Sequence, residues 1–178
     1  MKKSIIASVI ALGLMGGVAH AATSNNTVIF HGAVSATTCD ITPSQNGQIL
    51  ADSTVYLGTV APNAEGQAKE FVLKAKDAND AACKALTAQQ TATVSWSSAF
   101  LNANGLVADP GNSVAGDAQV LLNSVNAKTP GAITASANTA DFTADKVTGE
   151  GLKFNAKAKG GATPGTFQTA ASFSVAYK

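Results

Sequence analysis

Residues 165–178, at the C-terminus, read GTFQTAASFSVAYK. Alternate positions in this stretch carry small, apolar or aromatic side chains, while the positions between them are mostly polar or small. The alternating set is Gly165, Phe167, Thr169, Ala171, Phe173, Val175 and Tyr177. A period of two places such side chains on one face of a β-strand. We therefore predict a C-terminal strand with a single apolar face.

A second stretch near the N-terminus, TVIFHGAV at residues 27–34, has the same period. Its alternating residues are Val28, Phe30, Gly32 and Val34. Terminal segments usually fray unless a sheet holds them, so two such stretches indicate that pairing of terminal strands is what this domain does. An ordinary place in a hydrophobic core explains the same periodicity, and the alternation alone does not separate the two.

Residues 1–21 are expected to form a signal peptide. Lys2 and Lys3 precede the apolar stretch Ile5–Val18, and Ala19-His20-Ala21 fits a cleavage site. A membrane anchor is the competing interpretation, but the apolar stretch is shorter than the ~20 residues that a span needs. Cleavage after Ala21 would leave 157 of the 178 residues. This length suits one domain, which we divide into an N-terminal extension at 22–36 and a folded unit at 37–178.

The charge pattern argues against nucleic-acid binding. The sequence contains no arginine, and residues 22–178 carry ten lysines against eleven acidic residues, a net charge near −1. Arginine supplies the forked donor that recognises phosphate best, and the lysines here are scattered rather than clustered.

Both cysteines, Cys39 and Cys83, lie in the part expected to be exported. In an oxidising compartment the default expectation is one intramolecular disulfide. Closing a loop of this length would stabilise the fold by about 4 kcal/mol in the chain-entropy account.

Short apolar alternations separated by turn residues favour an all-β sandwich. The predicted strands after the N-terminal stretch are 54–57, 70–74, 91–97, 118–125, 151–159 and the C-terminal strand. Residues 101–117 and 127–141 are expected to be loops, and the alanine-rich residues 77–90 fit either a short helix or an irregular crossing.

The sequence offers little for catalysis, metal binding or a cofactor. The one histidine after the signal peptide, His31, is expected on a polar strand face without an orienting partner. Asp77, Asn79 and Asp80 lack the pattern of a calcium loop, so turn and cap roles are favoured. The aromatic residues Tyr56, Trp96 and Phe154 fit a core better than a sugar-binding cleft, although a cleft stays open.

The two ends and the cysteines together resemble the subunits of chaperone–usher fimbriae of Gram-negative bacteria. The resemblance rests on three motifs: the A-T-P-G turn at 162–165, the A-x-F-x-V-x-Y ending at 171–177, and T-V-x-F-x-G-x-V at 27–34, which is followed five residues later by Cys39. The second cysteine also fits that family's disulfide.

The resemblance implies an immunoglobulin-like sandwich that lacks its seventh strand. It implies that Val28, Phe30, Gly32 and Val34 form a donor strand that completes the sheet of a neighbouring copy. It also implies that residues 165–177 form the edge of the groove that a periplasmic chaperone fills before an outer-membrane usher assembles the fibre. The expected product is a non-enzymatic, major-type subunit of a cell-surface fimbria that supports adhesion. The alternative is a subunit that itself binds host glycans.

Overall fold

A computed structural model describes residues 39–178, and within them the chain forms two antiparallel β-sheets that enclose one main hydrophobic core. The strands are β1 (Ile41–Gln45), β2 (Gln48–Ile49), β3 (Lys69–Ala75), β4 (Thr91–Ser97), β5 (Leu101–Asn102), β6 (Gly105–Val107), β7 (Gln119–Ser124), β8 (Ala132–Ile133), β9 (Thr139–Thr143), β10 (Leu152–Lys159) and β11 (Ser172–Tyr177). An α-helix, α1 (Ala81–Lys84), and a 3-10 helix (Ala144–Val147) complete the described elements.

The larger sheet has the strand order β2-β1-β3-β10-β7-β6-β5, and β8 also pairs with β7. The smaller sheet has the order β11-β4-β9. Neither sheet closes on itself, so each keeps two edges. The all-β class predicted from the sequence is confirmed.

Four aromatic side chains join the two sheets at the centre of the core. Phe71 and Phe154 come from the larger sheet, and their ring centroids lie 5.8 Å apart in a stacked arrangement. Trp96 and Phe142 come from the smaller sheet, and their centroids lie 5.3 Å and 5.5 Å from that of Phe154. Phe154 is fully buried. It therefore occupies the centre of the contact between the sheets.

The disulfide forms as expected, between Cys39 and Cys83. Cys39 precedes β1 and Cys83 lies in α1, and both are buried. The bond therefore ties the start of the described domain to the connection between β3 and β4.

The alanine-rich residues 77–90 contain the short helix α1 rather than an irregular crossing alone. Asp80 caps it, because its Oδ1 accepts hydrogen bonds from the amides of Ala82 (2.8 Å) and Cys83 (3.4 Å). Asp77 accepts from the Asn79 amide at 2.8 Å in a local turn. These are the cap and turn roles favoured for the two aspartates.

Two loop predictions are partly wrong. Within 101–117, β5 and β6 form a hairpin with the two-residue turn Ala103-Asn104, and Gly105 begins β6 at φ +131°. Within 127–141, Ile133 is buried in β8, and β9 begins at Thr139. Strands β8 and β9 are short and rich in alanine and threonine, so they show little alternation of apolar and polar residues.

The strand predicted at 54–57 is also wrong. Ser53 and Gly58 both adopt positive φ, so the backbone turns at each end of the stretch. Between these turns, residues 55–58 make no backbone–backbone hydrogen bond with another described residue. Val55 and Leu57 nevertheless pack against the core as half-buried residues.

Across residues 39–178, no helix is long and apolar enough to span a bilayer. The boundary predicted between an extension at 22–36 and a domain from 37 lies outside the described residues and stays a prediction.

Replacing Phe154 with alanine should lower the free energy of unfolding by about 3–5 kcal/mol, because it empties the centre of the aromatic cluster. Urea unfolding followed by the fluorescence of the single tryptophan, Trp96, measures this. Ile49→Ala is the control, because this side chain is 52% exposed and its loss should cost about 0.5 kcal/mol. Equal costs for the two variants would contradict the assigned core.

Candidate functional site

The strand β11 forms one edge of the smaller sheet. It pairs antiparallel with β4, with Ser172 opposite Ser97 and Tyr177 opposite Ala92. No other strand among residues 39–178 pairs with it. Its second edge is therefore available for a further strand as far as the described residues are concerned.

The backbone of β11 presents hydrogen-bonding groups along this second edge. Thr91 and Lys178 exchange two backbone hydrogen bonds, each of 2.9 Å. Hydrogen-bonded and non-hydrogen-bonded pairs alternate along an antiparallel ladder. Because the Lys178 pair is hydrogen-bonded, the N–H and C=O groups of Phe173, Val175 and Tyr177 point away from β4, towards the second edge.

The side chains of the same three residues face the core but are only half buried. On the neighbouring strand β4, by contrast, Ala92 and Val94 are completely buried. The row of apolar side chains that faces the core is therefore partly exposed at this sheet edge. We call the following residues, all half buried and packed against the main core, the open apolar face: Val55, Leu57, Phe167, Ala171, Phe173, Val175 and Tyr177.

Strand pairing of the C-terminal segment, residues 165–178, with β4 begins only at Ser172. Before that residue, the loop at 109–115 replaces β4 as its partner. The Thr166 carbonyl accepts from the amides of Val114 (2.8 Å) and Ala115 (3.1 Å), and the Gln168 carbonyl accepts from the Asp109 amide (2.8 Å). Phe167, Thr169 and Ala171 are half buried, and the residues between them are exposed. The period of two thus extends beyond the paired strand.

Gly165 starts this segment in a conformation that favours glycine. Its φ is +149°, and a Cβ atom there would lie 2.7 Å from Val114 Cγ1 and 2.8 Å from Val114 Cβ. A side chain at this position would therefore strain the backbone and collide with the loop that holds the segment.

Three polar atoms on and beneath the open apolar face are buried without a hydrogen-bond partner among the described residues: Thr169 Oγ1, Tyr177 Oη and Trp96 Nε1. Burial raises the pKa of the Tyr177 phenol to about 12. The neutral phenol is therefore the form that this environment stabilises.

A cavity of about 360 Å³ lies where the C-terminal segment begins. Residues 58–60 line it together with residues 163–167. The irregular stretch that starts at Thr54 therefore leads to a position beside the start of the C-terminal segment. The alternation at 54–57 predicted a strand. Nothing in the sequence indicated that this stretch lacks a strand partner among the described residues.

The residues expected to form a donor strand, Val28, Phe30, Gly32 and Val34, lie outside the described residues, and their role stays a prediction. Trp96 and Phe154 belong to the core, whereas Tyr56 is 75% exposed, so the three do not form an aromatic sugar-binding cleft. Among residues 39–178 no group of three or more metal-ligating side chains occurs.

Comparison with known proteins decides the family. Over its full length the chain is 43% identical to the F107 fimbrial protein of Escherichia coli, all of which it covers. The chain belongs to the chaperone–usher family of fimbrial subunits. It is a structural subunit of a pilus at the cell surface.

Two further matches agree with this assignment. The fimbrial subunit is 30% identical to the K99 fimbrial protein of Escherichia coli, with 99% of each chain covered. Its fold matches that of the P pilus rod subunit PapA with a TM-score of 0.50 at 15% identity, over 85% of this chain and 100% of PapA. No family model matches the sequence.

The fimbrial subunit should show an unusually late tyrosine ionisation. Tyr56→Phe leaves Tyr177 as the single tyrosine, so phenolate absorbance should report a midpoint near pH 12 rather than the ordinary value of about 10. Because the folded pKa is the higher one, the stability contributed by this phenol is complete below pH ~10 and is lost as the pH rises through ~12. A midpoint near 10 in the folded protein would contradict the burial of the phenol.

Gly165→Ala should destabilise the fimbrial subunit by about 1–3 kcal/mol, because it combines an unfavourable φ with a collision against Val114. Gly131→Ala is the matched control, since Gly131 has no positive φ and no atom within 4 Å of an added Cβ. Urea unfolding of both variants measures the difference. Equal stability of the two would show that Gly165 has no such structural role.

Proposed function

We propose that this subunit polymerises by donor-strand exchange. In this mechanism the segment containing Val28, Phe30, Gly32 and Val34 of one copy adds to the second edge of β11 in the next copy. The observation that supports the proposal most directly is the edge itself. The backbone N–H and C=O groups of Phe173, Val175 and Tyr177 point towards the place where an added strand would lie. Their half-buried side chains face the core beside that place.

An added strand would gain from both features. Ladder hydrogen bonds to β11 supply affinity, and side chains at alternate positions supply specificity. Burying Val28, Phe30 and Val34 against the open apolar face would contribute about 4.5–9 kcal/mol, at about 1.5–3 kcal/mol for each side chain. Gly32 would let the two backbones approach closely.

Val55 and Leu57 supply the opposite wall for the added strand in this proposal. They are half buried against the same core, and their backbone groups form no backbone–backbone hydrogen bond with another described residue. Residues 58–60 and the start of the C-terminal segment line one cavity, which supports placing the two walls side by side.

A contact of this kind is heterologous, since the donor and the acceptor are different surfaces of the same chain. In a dimer, such a contact leaves one donor surface and one acceptor surface unused, so it can propagate into a filament. We infer head-to-tail assembly on this basis, with each copy accepting one strand and donating another.

The same edge explains why the subunit would need partners before assembly. An exposed strand edge with an apolar face invites non-specific pairing. We propose that a periplasmic chaperone covers it after export directed by residues 1–21, and that an outer-membrane usher exchanges the chaperone for the donor strand. The proposed role is structural, without an enzymatic step.

The proposal predicts complementary defects at the two ends of the chain. Phe30→Asp should abolish donation because it places a charge among apolar side chains, and Val175→Asp should abolish acceptance for the same reason. Each variant, expressed alone with the chaperone and usher, should give no fibres in electron micrographs. Val175→Asp should also lose chaperone capture, whereas Phe30→Asp should keep it, because the proposed chaperone covers the same edge of β11.

The controls are the neighbouring residues with the opposite strand parity. His31→Asp and Ala176→Asp should assemble as the wild type does, since Ala176 is exposed and strand parity predicts the same for His31. Fibres formed by either Phe30→Asp or Val175→Asp, or equal chaperone capture of the two variants, would overturn the donor and acceptor assignment.

A further inference from the structure

Asp117 lies just before β7 and contacts the turn that leads from β10 into the C-terminal segment. Its Oδ2 accepts hydrogen bonds from the amides of Ala162 (2.6 Å) and Thr163 (3.2 Å). Desolvation raises the pKa of this carboxyl, but the hydrogen bonds from Ala162, Thr163 and the Asp117 amide outweigh it and hold the pKa below its ordinary value. The ionised carboxylate is therefore the form that accepts the hydrogen bonds from the turn.

The backbone of this turn fits tightly against Asp117. A Cβ atom at Gly161 would lie 2.1 Å from the carboxylate carbon of Asp117. On its other side, the Gly161 carbonyl accepts from the Asn63 amide at 2.9 Å. The turn is thus held between Asp117 and the loop around Asn63. Among residues 39–178, Asp117 is the one residue that holds it through a side chain.

The same turn forms part of the cavity at the start of the C-terminal segment. Gly160, Gly161 and Thr163 line it, and so do Ala115 and Ala118, which flank Asp117 in the chain. One carboxylate therefore connects two parts of the cavity wall that come from distant parts of the sequence. Losing it would free the turn without removing any lining side chain.

We propose that Asp117 is a positioning residue for strand exchange: by clamping residues 161–163, it keeps the cavity beside the C-terminal segment in the shape that the incoming donor strand meets. This inference rests on the proposed function. It assigns to Asp117 an effect on the rate at which the donor strand enters, because the residue touches the receiving turn and not the sheet edge itself.

The test uses full-length subunit carrying Phe30→Asp, so that it cannot donate, purified as its complex with the chaperone. A synthetic peptide of residues 22–38 serves as the donor, and the rate of chaperone displacement is measured. Adding Asp117→Ala should slow displacement about tenfold, which corresponds to losing about 1.4 kcal/mol. Asp117→Asn should stay within about threefold of the parent rate, because its amide oxygen can still accept from the turn.

Asp77→Ala is the matched control. Its carboxylate also accepts from a backbone amide, that of Asn79 at 2.8 Å, in a turn that shares no residue with the cavity or with the loop at 109–115. This variant should exchange at the parent rate. Hydrogen exchange of residues 160–165 should accelerate in Asp117→Ala and not in Asp77→Ala.

The outcomes separate the two proposals. If the peptide fails to displace the chaperone from the parent complex, strand exchange itself is refuted. If the parent exchanges and Asp117→Ala matches its rate, or if the Asp77 control slows equally, the role of Asp117 is refuted while strand exchange stands. Should Asp117→Ala not be recovered, Asp117→Ser replaces it with the same expected slowing, because a serine hydroxyl is too short to reach both amides.

Discussion

Within residues 39–178, β11 pairs on one side alone, and this is the constraint on which the rest of the subunit depends. The strand is held by β4 along one edge, and its inward side chains at Phe173, Val175 and Tyr177 stay half buried. A sheet that ended with a strand of alternating charges would discourage further pairing. This one ends with an apolar row and a line of backbone donors and acceptors, a combination that another strand can satisfy and water satisfies poorly.

The aromatic contact around Phe154 explains how the sandwich tolerates such an edge. The rings of Phe71, Trp96 and Phe142 pack around it and join the sheets at their centre. The core therefore has a well-buried middle that does not depend on the half-buried face. Because Trp96 also contacts Phe173, with ring centroids 5.6 Å apart, the stable centre and the open edge are physically continuous.

The sequence predicted the all-β class, the disulfide and the longer strands, because these rest on strong signals: two cysteines and clear alternation in residues 91–97 and 151–159. It missed β1, β2, β5, β6, β8 and β9. Of these, β2, β5, β6 and β8 have only two or three residues, which are too few to show a period. It also assigned a strand to 54–57, since alternation reports which side chains face a core but not whether the backbone has a partner. The clamp at Asp117 had no sequence signal, because its contacts join residues 45 and 46 positions apart.

The disulfide also bears on how tension passes through a fibre. A donor segment that precedes Cys39 would transmit pulling force into the domain at that residue, and the bond to Cys83 would carry the load directly to α1. Strands β1, β2 and β3 lie within the covalent loop between the two cysteines and are bypassed. Stretching therefore cannot unravel them one after another from the N-terminal side. In the proposed fibre, the bond would thus act as a mechanical stop within each subunit.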